Sequence, residues 1–146
     1  FRDGTYPGVS RLDLQPLMTD DPVTVASRTD PDATVEVVPV PVWHGGARIL
    51  GWRIGGLAYL TDVSAIPESS FARLGGVEVL VLDGLRPEPH PTHLSFGEAA
   101  EIAARVGARE TLLVHMTHNV LHEDADAMLP GGVRLAYDGL RISTGA

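Results

Sequence analysis

At 146 residues the chain is long enough for one domain with a sizeable core, and 44% apolar against 21% charged residues is ordinary for a soluble globular protein. A net charge of −8 argues against a non-specific nucleic-acid binder, which needs a basic stripe, but leaves open a small phosphate ester held through metal ions. The lack of cysteine excludes disulfides, thiolate metal sites and cysteine nucleophiles and fits a reducing cytoplasm, and no apolar run approaches the roughly 20 residues that span a bilayer.

The chain begins at Phe1 rather than methionine, carries no signal-peptide pattern, and reads from Phe1 to Gly8 as the interior of a longer polypeptide. From Val9 to Thr19 the pattern is mixed and Pro16 interrupts it, so a connecting segment is expected. Asp20-Asp21-Pro22 reads as a turn, Val23 to Ala26 as a short strand, and Ser27 to Ala33 as a loop. Thr34 to Val42 is a strong strand whose prolines, Pro39 and Pro41, place its second half at an edge or at the exit from a sheet. It runs into Trp43-His44-Gly45-Gly46, where the glycines let the backbone turn tightly beside an imidazole.

Arg48 to Ile54 and Leu57 to Leu60 predict two strands joined across Gly55-Gly56. The second ends in Thr61-Asp62-Val63-Ser64, so a buried strand delivers a carboxylate at its tip. Ile66 to Leu74 predicts a short helix with Pro67 in its first turn, stopped by Gly75-Gly76. Val77 to Leu82 is a near-continuous apolar strand ending in Asp83-Gly84, and Arg86 to Thr92 holds three prolines and must be a loop. Ser95-Phe96-Gly97-Glu98 has capping-box spacing, apolar residues follow at helical intervals, and Gly107 ends the helix. Thr111 to Val114 predicts another buried strand, running into His115-Met116-Thr117-His118. Leu121 to Leu129 predicts a second helix. Val133 to Tyr137 and Leu140 to Ile142, joined through Asp138-Gly139, predict a closing hairpin. Strands first and then strand and helix in alternation predict an α/β (α+β) domain over residues 1–146, with a mixed sheet and helices on one face.

Four of the six histidines, His44, His93, His115 and His118, lie at or beyond the ends of buried strands, as do Asp62 and Asp83. Imidazole and carboxylate suit zinc, manganese or iron. Singly, His115 reads equally as a hydrogen-bonded strand-end residue, His44 as a turn residue and Asp62 as a turn cap. As a set they favour a metal site, provided their strands share a sheet.

Pro39-Val40-Pro41-Val42-Trp43-His44-Gly45, Tyr59-Leu60-Thr61-Asp62-Val63-Ser64, His90-Pro91-Thr92-His93-Leu94-Ser95, Thr111 to His118 and Ala136-Tyr137-Asp138-Gly139-Leu140 together resemble the C-terminal half of a metallo-β-lactamase-fold hydrolase. The branch they resemble includes the cyclic phosphodiesterase associated with carbon–phosphorus lyase. The resemblance implies an αββα sandwich, of which this chain supplies mainly the C-terminal sheet and its helices. It implies two divalent ions, zinc or manganese, with His44 and His115 as terminal metal ligands and Asp62 as the bridging one. His93 would bind the substrate phosphate and act in catalysis with Asp62. His118 would support the ligand three residues before it, and Asp83 would orient a ligand without being one. The implied activity is phosphodiester hydrolysis of a small, cyclic phosphate ester by a hydroxide held between the ions.

The family's N-terminal His-x-His-x-Asp-His motif, which supplies the remaining ligands, is absent from residues 1–146. His44, Asp62 and His115 alone give each ion two protein ligands, where a catalytic zinc has about three. The chain by itself is therefore expected to bind metal weakly and hydrolyse poorly, and to pair with an N-terminal half of the same fold or with a second copy. A non-catalytic assembly module, and a hydrolase of the same fold acting on a thioester, lactone or RNA 3′-end, are the alternative expectations.

Overall fold

The computed structural model describes residues 16, 17 and 19–144; most of the connecting segment expected between Val9 and Thr19, and the whole of Phe1 to Gly8, lie outside the described residues. One mixed sheet organises the rest. Its strands run β1 (Val23–Ala26), β2 (Thr34–His44), β3 (Ala47–Ile54), β4 (Leu57–Leu60), β5 (Val79–Asp83), β6 (Glu110–Val114) and β7 (Val133–Leu135), and they lie side by side in chain order. The pairs β1–β2, β2–β3 and β3–β4 are antiparallel, whereas β4, β5, β6 and β7 are mutually parallel. All four parallel strands therefore end at the same rim, which is where an α/β sheet offers its loops to a ligand.

The prolines of β2 sit where the sequence puts them. Thr34–Val37 pairs with β1, and from Val38 onward that side of β2 has no strand partner among the described residues. Pro39 and Pro41 present no N–H to the open edge. Their carbonyls are taken by Arg73 (3.0 Å) and by the Ser70 hydroxyl (2.7 Å). Both donors come from the segment made of helix α1 (Glu68–Phe71) and a 3-10 turn over Ala72–Leu74, which closes the edge.

Helix α2 (Phe96–Val106) begins in the expected capping box: Ser95 Oγ accepts from the Glu98 amide, and the Glu98 carboxylate accepts from the Ser95 amide. It ends at Gly107, whose φ of +69° is the left-handed conformation that glycine adopts at least cost. Helix α3 (His122–Ala127) is shorter than the expected Leu121 to Leu129. These helices cover one face. Val40, Val42, Ala58, Leu60, Leu80, Leu82, Leu113 and Leu135 of the strands pack there against Leu74, Phe96, Ala99 and Ala125.

The other face carries no helix among the described residues. Val79, Val81 and Leu112 form a smaller cluster there with Leu57, Val114, Ala136 and Leu140. Across the register Val25 opposes Val35 and Trp52 opposes Tyr59, so the apolar stripe continues to the antiparallel end of the sheet, where Val25 (48%), Val35 (41%), Ile54 (41%) and Tyr59 (46%) are exposed.

One expected element is replaced. The closing hairpin does not form: β7 stops at Leu135 and pairs parallel to β6, and residues 136–144 contain no strand. The Asp138-Gly139 turn itself forms, closed by the Leu140 amide on the Tyr137 carbonyl (3.1 Å), but Leu140 then packs against the cluster on the bare face instead of starting a strand.

Candidate metal centre

Asp62 follows β4 and His115 follows β6, with one strand between them in a parallel array whose ends are level. Both residues have positive φ, +58° and +68°, a conformation costly for a side chain with a Cβ. Each turns its side chain back over the rim, and His115 Nε2 lies 3.3 Å from Asp62 Oδ1. Asp62 Oδ2 accepts from the Thr61 hydroxyl at 3.1 Å. Both side chains are 40% exposed, so the pair is reachable from solvent.

His44 reaches the same rim at the end of β2, which runs in the same direction as β4 because both are antiparallel to β3. The turn after it is tied to the loop after Asp62: Gly45 N donates to Ser64 Oγ (2.9 Å), Ser64 Oγ donates to the Trp43 carbonyl (3.1 Å), and Trp43 N donates to the Ala65 carbonyl (2.9 Å). Gly45 has φ +56°, and a Cβ there would come within 2.9 Å of Thr92 Cγ2. The turn thus needs glycine both for its conformation and for its close approach to the His93 loop. His44 Nδ1 lies 2.9 Å from the Thr92 carbonyl oxygen. A carbonyl only accepts, so Nδ1 carries the proton and Nε2 keeps its lone pair, the arrangement that prepares an imidazole as a metal ligand.

Asp83 is the hidden anchor. It is fully buried at the tip of β5, and each of its contacts is a donor. Oδ1 accepts from the Asp62 amide (3.0 Å) and from His93 Nδ1 (3.0 Å), while Oδ2 accepts from the Leu94 amide (3.0 Å). One carboxylate therefore fixes the backbone of Asp62, the ring of His93 and the loop between them. Three accepted bonds make it the support that orients these neighbours.

His93 stands at the centre of the imidazoles. Its ring centroid lies 4.8 Å from that of His44, edge on, and 4.5 Å from that of His115, stacked. Ligand atoms of His44, Asp62 and His93 fall within 4.8 Å of one another, as do those of Asp83, His93 and His115. The structure thus brings His44, Asp62, His93 and His115 together at one rim. It does not bring His118 with them: His118 is exposed, in a turn, and makes no hydrogen bond among the described residues. An i, i+3 pair shares a face only in a helix, and the chain here is not helical.

The donor set fits a divalent cation. Two imidazoles and a carboxylate suit zinc or manganese, His44 Nδ1 holds the ring proton and leaves Nε2 with its lone pair, and Asp62 Oδ1 lies 3.3 Å from His115 Nε2. Two features had no signal in the sequence. The Thr92 carbonyl that sets the His44 tautomer is a backbone atom, and the left-handed backbone of Asp62 and His115 falls on side chains rather than on glycine.

A family model described as a beta-lactamase superfamily domain matches residues 3–116. Among curated proteins, the chain is similar to an octanoyltransferase of Porphyromonas gingivalis (strain ATCC BAA-308 / W83), 35% identical over 142 residues that make up 96% of this chain and 27% of that protein. Among solved structures, a diphosphatase from the PhnP family aligns with a TM-score of 0.79 at 37% identity, over 87% of this chain and 47% of the other. The metallo-β-lactamase-fold protein YhfI from Bacillus subtilis aligns with a TM-score of 0.62 at 20% identity, over 87% of this chain and 53% of the other, a likeness of fold alone. The chain spans about half the length of these structural neighbours and about a quarter of the curated relative.

Proposed function

This chain belongs to the beta-lactamase superfamily, a family of metal-dependent hydrolases, and from that premise we propose that it is the C-terminal part of a phosphodiesterase acting on a small phosphate ester. The observation that carries this reading is the convergence of His93, held by a buried carboxylate, on the rim where His44, Asp62 and His115 meet. The likeness to a PhnP-family diphosphatase supports phosphate over other esters.

His44, Asp62 and His115 would hold two divalent ions, Asp62 serving both. When bound, such ions supply positive charge against the phosphate oxygens and lower the pKa of water. The chain's own residues do the rest. Asp83 holds the amide of Asp62 and so fixes the angle at which that carboxylate leaves β4. It also accepts a hydrogen bond from His93 Nδ1–H, so Nε2 faces the site; after taking up a proton from solvent, Nε2 of the imidazolium would pass it to the leaving oxygen.

The remaining ligands and the cover for the bare sheet face are proposed to come from the N-terminal half of the same sandwich, with a second copy of this chain as the competing occupant. The exposed stripe of Val25, Val35, Ile54 and Tyr59 supports a packed partner, because apolar faces of this extent are normally covered. Gel filtration with intact mass distinguishes the two. A chain that is monomeric, partnerless and fully active contradicts both.

A second reading, hydrolysis of an acyl ester or thioester, draws on the octanoyltransferase similarity, which touches only about a quarter of that protein. Assaying a cyclic ribose phosphate, a bis-aryl phosphate, a lactone and a thioester side by side decides. The phosphodiesterase reading requires turnover of the phosphates to exceed that of the acyl substrates. The reverse order replaces it.

A further inference from the structure

One more imidazole belongs to the row at the rim and has no role so far. The ring of His90 lies 5.3 Å from that of His93, tilted by 39°. It sits on the Arg86–Thr92 loop, which is held from several sides. Pro87, Pro89 and Pro91 each fix a backbone dihedral. Arg86 donates from Nε to the Glu88 carbonyl (3.4 Å) and from a terminal nitrogen to the Pro89 carbonyl (3.2 Å). The far end of the loop is pinned where His44 Nδ1 donates to the Thr92 carbonyl. A side chain carried by so constrained a loop loses little freedom when it meets a ligand.

The tautomer of His90 is the reverse of its neighbour's. The Thr92 amide donates to His90 Nδ1 at 3.4 Å, and the Thr92 hydroxyl lies 3.3 Å from the same atom. An amide only donates, so Nδ1 is the acceptor and the ring proton sits on Nε2. In His93 the proton sits on Nδ1, directed at Asp83. In their neutral forms the two rings thus offer opposite chemistry at Nε2: a lone pair from His93, an N–H from His90. A non-bridging phosphate oxygen carries only lone pairs, so neutral His90 has a donor for it and neutral His93 does not. Desolvation, and after it the Arg86 guanidinium, shift the His90 imidazole below the usual histidine range.

From this arrangement we infer that His90 is a second substrate-contacting residue, a loop-fixed Nε2–H donor to a non-bridging phosphate oxygen, while His93, once protonated at Nε2, is the donor to the leaving oxygen. The inference rests on the phosphodiesterase reading of the same site and adds a residue to which that reading gives no part.

The test has two arms. In the first, inorganic phosphate is titrated into the 15N-labelled chain and the imidazole nitrogens are followed by NMR, for the unsubstituted chain, His90→Ala and His90→Gln. The expected result is an Nε2-protonated His90 whose signals move with phosphate, a severalfold weaker phosphate affinity in His90→Ala, and recovery in His90→Gln, whose amide N–H replaces the lost donor. In the second arm, kcat/KM is measured in the complete protein for diesters with good and poor leaving groups. His90→Ala is expected to lose about tenfold on every ester alike, whereas the loss in His93→Ala grows as the leaving group worsens. His90 is half-buried on a loop and belongs to neither apolar cluster, so both His90 variants are expected to fold, which equal melting temperatures check. Phosphate signals that ignore His90, a ring protonated at Nδ1, or unchanged kcat/KM in His90→Ala on an active protein would each overturn the inference. A protein inert toward every phosphodiester whose His90 still responds to phosphate would instead overturn the phosphodiesterase reading and leave the donor in place.

Discussion

The two rims of the parallel sheet use the same backbone conformation for different ends. At the rim where the strands begin, β4, β5, β6 and β7 are each preceded by a glycine of positive φ: Gly55, Gly76, Gly107 and Gly132. At the rim where they end, Gly45 beside His44 also has it, but directly after β4 and β6 the positive φ falls on Asp62 and His115. Glycine adopts this conformation freely, whereas a residue with a Cβ loses about 1–2 kcal/mol. The starting rim follows conformational economy. The ending rim gives it up to point a carboxylate and an imidazole at one spot. The difference teaches that strain here marks chemistry, and that where the rims differ in residue type the fold has yielded to the site.

The largest effects come from changes that cut the support of the ending rim. Asp83→Ala leaves the Asp62 and Leu94 amides and His93 Nδ1 without their acceptor, and at about 1–3 kcal/mol per orphaned buried group it should lower stability by several kcal/mol and release His93. Urea unfolding measures the loss, and a loss below about 1 kcal/mol would reduce Asp83 to a bystander. Gly84→Ala places a Cβ 2.9 Å from Leu113 Cδ1 and should lower stability by about 1–3 kcal/mol through overpacking.

The comparison of the rims is sharpened by exchanging their residue types. Asp62→Gly should raise stability by about 1 kcal/mol while abolishing metal binding, and Gly107→Ala should lower stability by about 1 kcal/mol with metal binding unchanged. Thermal melting and metal content on the same samples check both. An Asp62→Gly chain that is less stable than the parent would break the strain argument.

The smallest effect concerns pH. Hydrogen bonds from the Ser95 side chain and backbone hold the Glu98 carboxyl below the usual carboxylate range. A depressed carboxyl contributes stability above the unfolded-state value and loses it as pH falls through the folded-state value. Glu98→Gln should therefore flatten the acid limb of the stability profile below about pH 4.5, by a few tenths of a kcal/mol because the group is largely exposed.

Much of this molecule could be read from its residues, and for physical reasons. Apolar runs with turn residues between them located β2, β3, β4, β5 and β6. Pro39 and Pro41 marked an open edge because proline cannot donate to a ladder, and Ser95 with Glu98 located the start of α2. The meeting of residues 44, 62 and 115 was legible because each lies at or just past the end of a strand and those strands end at one rim; His93 reaches it at the end of the Arg86–Thr92 loop, tied to Asp83 at the tip of β5. What was not legible depends on distant contacts. The Asp138-Gly139 turn forms, but Leu140 packs on the bare-face cluster and no strand follows, and His118, which the resemblance made a support for His115, lies exposed in the turn beyond β6. The tautomers of His44 and His90 rest on the Thr92 carbonyl and amide, which no side-chain pattern announces.

The account stands most directly on His44, Asp62 and His115 acting as one cation site. Zinc or manganese titrated into the 15N-labelled chain, with the imidazole signals of His44 and His115 followed together, tests it. The account predicts that both rings respond over the same concentration range and that Asp62→Ala silences both. Rings that respond independently, or that respond undiminished without the Asp62 carboxylate, would contradict it.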